Sequence, residues 1–375
     1  MKLLITGDLV LNQPYQTSYI DQNLVDLFKK SDLNIVNLEA PVTTSNTKIN
    51  KTGPNIKSHR ESTKNVLKAL EVNVVTLANN HVLDYDEQGV IDTLEFCREN
   101  EIQTVGAGKN LKEASKIFYF DSAEGKIAIV NFAENEWTSA KDNRAGSNPM
   151  NFIDNYTQIQ EAKNKADFVI VIVHGGNEYN PYPSPRMVKQ YRFYAENGAD
   201  AVISHHTHCI SGNEIHKSVP ILYSLGNFLF TKESRKEVWY SGLIASLIIK
   251  KDHPITFEVI PVQQSRESFQ LKLHPKKQLI HKNIEEINTV IADETKLEER
   301  WIEFVQKYEG GYISTITPMA GINNRYLRAI LYRSGIYKWF LNDRYLKESL
   351  NRIRCESHQE VTKSVLLNLI KQKNE

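Results

Sequence analysis

Five apolar runs of strand length, each stopping abruptly at ligand-type polar residues, constrain this chain more than any other feature. They are Leu3-Leu4-Ile5-Thr6-Gly7-Asp8, Asn34-Ile35-Val36-Asn37-Leu38-Glu39, Val72-Asn73-Val74-Val75-Thr76-Leu77-Ala78-Asn79-Asn80-His81, Phe168-Val169-Ile170-Val171-Ile172-Val173-His174, and Ala199-Asp200-Ala201-Val202-Ile203 followed by Ser204-His205-His206-Thr207-His208. Near-continuous hydrophobicity over that length predicts strands buried on both faces, as in parallel sheets covered by helices. In open α/β sheets ligands bind beyond the carboxyl ends of the strands. Five such ends are therefore expected to converge on one site.

The segments between these runs carry helical signals. Residues 62–71 open with capping residues, residues 86–100 place Val90, Ile91, Leu94 and Phe96 at near-helical spacing, and residues 184–197 read as a helix ended by Gly198. This alternation predicts an α/β architecture. Residues 220–230 read as a strand broken by Gly226-Asn227, where a glycine lets backbone approach closely. Residues 242–250 and 255–262 alternate as antiparallel strands do.

From residue 264 onward the pattern turns helical and charge-rich. The formal net charge of +1 conceals an uneven distribution: the tail has 19 Lys and Arg against 14 Asp and Glu, leaving 27 against 31 ahead of it. A boundary near residue 263 is expected, giving a main domain over 1–263 and a helical region over 264–375. In the tail, Arg325, Arg328, Arg333, Lys338, Arg344, Lys347, Arg352 and Arg354 face only Asp343 and Glu348, with Tyr326, Tyr332, Tyr337, Trp339 and Phe340 interleaved. The expected arrangement is a helical cap with its aromatics packed on the main domain. The alternative is a docking surface for an anionic polymer or a peripheral contact with a membrane. No nucleic-acid module signature occurs.

A chain of 375 residues with 41% hydrophobic content can bury a large core. No apolar run approaches the roughly 20 residues that span a bilayer, and no signal peptide is read at the start. Three cysteines, Cys97, Cys209 and Cys355, without Cys-x-x-Cys spacing point to a reduced, cytoplasmic compartment. Cys209 is expected to serve packing.

The histidine run is the sharpest chemical signal, because three of eleven histidines fall within four residues. Histidines two apart leaving a strand can aim their imidazoles at one point, so His206 and His208 are expected to hold a first-row divalent metal. His205 is read as their neighbour, and His59, His216, His253, His274, His281 and His358 are not assigned to the site.

The segments Gly7-Asp8, Asn37-Leu38-Glu39-Ala40-Pro41, Leu77-Ala78-Asn79-Asn80-His81-Val82-Leu83-Asp84-Tyr85, His174-Gly175-Gly176-Asn177-Glu178-Tyr179, Gly198-Ala199-Asp200 through His208, and Tyr223-Ser224-Leu225-Gly226-Asn227-Phe228 resemble, in order and spacing, the CapA or poly-γ-glutamate capsule biosynthesis family. That family resembles the calcineurin-like metallophosphoesterases. The resemblance implies a four-layer α/β/β/α sandwich carrying a two-metal site, here with a C-terminal helical extension. It implies Asp8, Glu39, Asn80, His174, His206 and His208 as ligands to one or two divalent metals, with Glu39 where a bridging Asp is usual. Carboxylate, amide and imidazole donors together suit manganese, iron or zinc better than calcium. One departure stands out: the phosphoesterase pattern begins Asp-x-His, and this chain has Asp8-Leu9-Val10.

By the same resemblance His81 is the candidate general acid, oriented by Asp84, and Glu178 and Asn227 are candidate substrate-binding or supporting groups. Two function classes follow. The first is a metal-dependent hydrolase of phosphoesterase type serving assembly of an extracellular polymer such as poly-γ-glutamate or a capsular polysaccharide, acting on a phosphorylated substrate or an anionic polymer. The second is a non-catalytic subunit that partners capsule-assembly proteins and holds an anionic polymer.

Overall fold

The computed structural model describes residues 1–322 and 324–374. By internal contacts the chain forms two compact units, Met1–Trp301 and Ile302–Glu375.

In the first unit an eight-stranded sheet runs in the order Leu271–Leu273, Thr256–Gln264, Ser241–Ile248, Lys2–Val10, Leu33–Leu38, Val74–Thr76, Gln103–Val105, with Asn227–Phe230 also paired to Lys2–Val10. The strands from Lys2–Val10 to Gln103–Val105 are parallel, and the pairings from Ser241–Ile248 outward are antiparallel, as the alternation of that region predicts. A second, six-stranded sheet runs Asn213–His216, Val219–Leu222, Ala201–His205, Phe168–His174, Gly125–Ala133, Phe118–Ser122, with a parallel centre.

Side-chain alternation sorts each strand into two cores. Ile5, Ile35 and Val74 of the first sheet meet Ile129, Ile170, Ile172 and Ile203 of the second between the sheets. Their neighbours Leu4, Val36 and Val75 face outward onto Phe28, Leu67 and Phe96 of the covering helices. On the opposite side Val130, Val171 and Val202 pack against Ile159, Met187 and Tyr194. The result is the α/β/β/α sandwich expected, and burial on both faces accounts for the unbroken apolar runs in the sequence. The helices form where expected: Arg60–Ala69, Asp86–Glu99 and Pro185–Glu196, the last capped by the Ser184 side chain, which accepts from Met187 N.

The first unit extends past residue 263, where the charge balance changes. Leu271–Leu273 completes a sheet edge, and the helix Lys277–Ile291 buries Ile284, Val290 and Ile291 in the cores on either side of the second sheet. The second unit contains the helices Arg325–Arg333, Asp343–Arg354 and Glu356–Asn374. Among the described residues no helix is long and apolar enough to cross a membrane.

Residues 220–230, expected as one broken strand, form two strands in different sheets. Val219–Leu222 belongs to the second sheet and Asn227–Phe230 to the first. Gly226, at φ +64°, ends the crossing, and its carbonyl accepts from Asp8 N at 3.0 Å. A Cβ on Gly7 would lie 2.0 Å from that carbonyl oxygen, so only glycine lets the crossing chain touch the strand that delivers Asp8. Gly7→Ala is therefore expected to lower stability by about 1–3 kcal/mol or more, because backbone rather than a flexible side chain must move. Urea unfolding should show the midpoint falling at unchanged slope; an unchanged midpoint would mean that the crossing is not tightly packed.

Candidate metal centre

Strand register brings the expected residues together. Asp8 lies beside Asn37 on one side and Asn227 on the other, and His174 lies beside His205. Glu39 follows the strand Leu33–Leu38, and Asn80 and His81 lie in the turn after Val74–Thr76. His206 and His208 occupy the left-handed region, at φ +92° and +54°. Backbone of that kind costs a β-carbon residue energy and persists where surroundings enforce it. Here Thr207 between them is held, its hydroxyl donating to Ser224 Oγ at 2.8 Å and its carbonyl accepting from Tyr179 N at 2.7 Å. This strain aims both imidazoles into the site.

The donors fall into two groups that share Glu39: Glu39, His174 and His206 in one, and Asp8, Glu39 and His208 in the other. Within each, the ligand atoms lie within 4.8 Å of one another. His174 Nε2 stands 3.3 Å from Glu39 Oε1, 3.0 Å from Asn80 Oδ1 and 3.1 Å from His206 Nδ1. His208 Nδ1 stands 3.3 Å from Asp8 Oδ2, 3.9 Å from Glu39 Oε2 and 2.9 Å from Asn227 Oδ1. All six expected ligands are buried.

Electrostatics test whether cations fit. Both oxygens of Glu39 and Oδ2 of Asp8 are buried without a hydrogen-bond donor. Burial and the charge of Asp8 push the Glu39 carboxyl well above the usual carboxylate range. Burial opposes the charge on Asp8 too, but the His208 imidazole together with His205 and the Asn37 amide holds Asp8 low, while His208 is raised by the pairing with Asp8 against its own burial. Burial and the neighbouring imidazoles drive His174 well down, and His206 falls to about 3. His174 and His206 are held neutral, as metal ligands must be, and a cation beside the orphaned oxygens of Glu39 and Asp8 would supply the positive charge for which Glu39 and His208 otherwise hold their protons. The donor set therefore fits divalent metal ions.

The surrounding residues act on these ligands. Asn37, which the sequence reading did not single out, donates to Asp8 Oδ1 at 2.7 Å and lies 3.3 Å from His174 Nδ1, so one amide fixes a ligand in each group. Its position two residues before Glu39 on the same strand face was the available signal. Asp84 accepts from Ile56 N and holds His81 Nδ1 at 2.7 Å, as expected of an orienting carboxylate. Its other oxygen pairs with Lys51, whose ammonium also donates to Asn80 O at 3.2 Å. Lys51 lies in residues 40–59, which form no regular element except at the last residue's helix cap, and carries no sequence signal.

Asn227, grouped by sequence with the substrate-binding or supporting residues, is buried and commits its amide to His208 and to Trp239 O at 3.0 Å, which is the placement of a supporting group. Glu178 is exposed in the loop after Phe168–His174 and acts on Glu39 and His208 through its charge. Val10 sits in an apolar cluster with Phe230, Trp239 and Tyr240, and Phe230 and Trp239 of that cluster lie against the His208 ring. His205 turns away, its Nε2 2.8 Å from Thr6 O, and Cys209 is buried.

Comparison with known proteins agrees with the motif reading. Residues 2–232 match the family model described as bacterial capsule synthesis protein PGA_cap. The PGA biosynthesis protein CapA of Bacillus subtilis (strain 168) is 35% identical over 254 residues, covering 65% of this chain and 64% of that protein. The capsule biosynthesis protein CapA of Bacillus anthracis is 32% identical over 245 residues, covering 61% and 60%. The match thus spans less than two thirds of either relative's own length. Among solved structures, a hypothetical protein from Thermus thermophilus aligns with TM-score 0.48 at 16% identity, covering 71% of this chain and 100% of that one. With the ligand positions and the crossing at Gly226 lying inside the matched span, the chain belongs to the bacterial capsule synthesis protein family PGA_cap.

Proposed function

We propose that this chain is a metal-dependent hydrolase of phosphoesterase type that serves the assembly of a capsule or related exopolymer such as poly-γ-glutamate. The observation that carries the reading is Glu39, whose two orphaned oxygens each belong to a different group of nitrogen and oxygen donors. Such sets suit manganese, iron or zinc. Bound there, divalent ions supply Lewis acidity toward a phosphoryl oxygen and lower the pKa of water.

The chain's own residues supply the rest. Asp84 takes His81 Nδ1 and leaves Nε2 as the nitrogen that can give a proton to a leaving group. Burial lowers the His81 pKa and Asp84 raises it in opposition. An anion arriving beside the ring adds to Asp84 and favours the protonated form. Lys51 holds Asp84 from behind, and Asn37 and Asn227 keep Asp8, His174 and His208 in place.

The test is turnover of chromogenic phosphomonoesters and phosphodiesters by protein reconstituted with manganese, iron or zinc. Activity that appears with metal and disappears with a chelator supports the proposal. Metal-loaded protein inert toward both would put the second reading ahead, a non-catalytic subunit that holds an anionic polymer for its partners. Val10 favours that reading, since it places a hydrocarbon where the phosphoesterase pattern has a histidine.

A further inference from the structure

The second unit exposes its apolar side chains to an unusual degree. Tyr326, Leu327 and Ile330 on the helix Arg325–Arg333 are 66%, 46% and 62% exposed, and Trp339 in the turn Ile336–Trp339 is 81% exposed. Single exposed apolar residues need no explanation, but a contiguous set marks a contact surface.

Their placement is ordered. At about 100° per residue, Tyr326, Leu327, Ile330 and Leu331 share one face of Arg325–Arg333 and Arg328 and Arg333 lie on the other, while Arg325 folds over the Tyr326 ring, 4.8 Å from its centroid, and donates to its hydroxyl at 2.8 Å, which puts a cation at the polar end of that ring. Tyr332 stacks on Tyr337 with ring centroids 4.5 Å apart, which ties the helix to the turn that carries Lys338, Trp339 and Phe340. Residues 325–342 hold four cations and no Asp or Glu. By contrast, the next helix, Asp343–Arg354, pairs Arg344 with Glu348 and Lys347 with Asp343 within itself.

We infer that residues 325–340 lie in the plane of an anionic lipid surface, with Tyr326, Leu327, Ile330 and Trp339 dipping into the acyl boundary and the arginines and Lys338 among the headgroups. Three kinds of occupant compete for this surface, and charge and apolarity together choose between them. A soluble polyanion would neutralise the cations and leave the apolar face in water. A second copy would cover the apolar faces and bring eight cations together with no carboxylate from this segment between them. An anionic bilayer satisfies both halves at once, and an arginine-rich face opposite tyrosine, leucine and tryptophan is the composition of helices that rest at that interface. This inference stands apart from the proposed hydrolase, since no metal ligand lies in the segment.

The test is flotation of the full chain with vesicles of phosphatidylcholine alone and of phosphatidylcholine with about a third phosphatidylglycerol. Binding at least ~10-fold tighter to the anionic vesicles is expected, weakening as salt rises through the screening range. Ile330→Asp, a surface change, should abolish it with the circular dichroism spectrum unchanged, and Arg328→Glu with Arg333→Glu should remove the preference for anionic lipid. Three results would overturn the inference: equal recovery with neutral vesicles, no recovery with either, or binding to soluble poly-γ-glutamate that Ile330→Asp leaves intact. A dimer in light scattering that Ile330→Asp dissolves would equally overturn it, in favour of a second copy. Metal content and phosphoesterase turnover of Ile330→Asp should stay at the parent level, which separates this inference from the proposed function.

Discussion

Replacing His206 and His208 together by Ala is expected to reduce bound metal from one or two equivalents to below about a tenth of an equivalent, with the fold retained. His206 belongs to the group with Glu39 and His174, and His208 to the group with Asp8 and Glu39, so the pair of changes strikes both groups. Either change alone should spare the other group. The fold is expected to survive because both residues sit in left-handed backbone, a conformation that adds strain to the native state whatever the side chain, and because metal-free protein keeps its three apolar cores. Elemental analysis after purification without chelators reads the outcome, with circular dichroism as the control. Undiminished metal content in the double variant would make the histidine run structural and leave the ion to Glu39 and the other donors.

The positions of this centre were legible because the two sheets bury their strands on both faces. A strand with water on one side alternates and hides its boundaries among polar residues, whereas Phe168–His174 is apolar until the residue that reaches the site. The change of character at Glu39, His174 and His206 marks where those strands end, whereas Lys2–Val10 continues past Asp8 with Leu9 and Val10 buried. Asn37 was harder to see, since an asparagine within an apolar run resembles a tolerated polar residue until its two partners, Asp8 and His174, are known to be neighbours.

Lys51 and the domain boundary show where pattern stops carrying information. Lys51 reaches Asp84 from a segment without periodicity, and only the fold brings residues so far apart in sequence together. The positive excess of the tail comes from residues 325–354, whereas the amphipathic helix Lys277–Ile291 sets Lys277 and Lys282 against Glu285 and Glu286 on its outer face, and Ile284, Val290 and Ile291 on its inner face belong to the first unit's cores. Composition averaged over such a helix reports its solvent side. The crossing at residues 223–226 was read as a break for a related reason: a strand that changes sheets and a strand that bends differ in pairing, and pairing is not local.

His81→Ala is expected to keep the metal and lose turnover by roughly 100-fold to 10,000-fold, the contribution of a positioned proton donor. Geometry sets binding and chemistry apart here. His81 lies outside both ligand groups, and its Nδ1 is held by Asp84 at 2.7 Å. The loss should fall on kcat, and it should be largest for substrates with poor leaving groups, which depend most on protonation as the bond breaks. A substrate whose leaving group is a stable anion should be cleaved with a much smaller penalty. Asp84→Asn probes the same unit from behind: it removes the charge that opposes burial at His81 and leaves Lys51 buried without its counter-ion, so it should cost stability as well as rate. The two variants thereby distinguish a proton donor from a structural pair. If His81→Ala instead releases metal while activity per bound metal is unchanged, His81 is a ligand, and proton donation must come from another group.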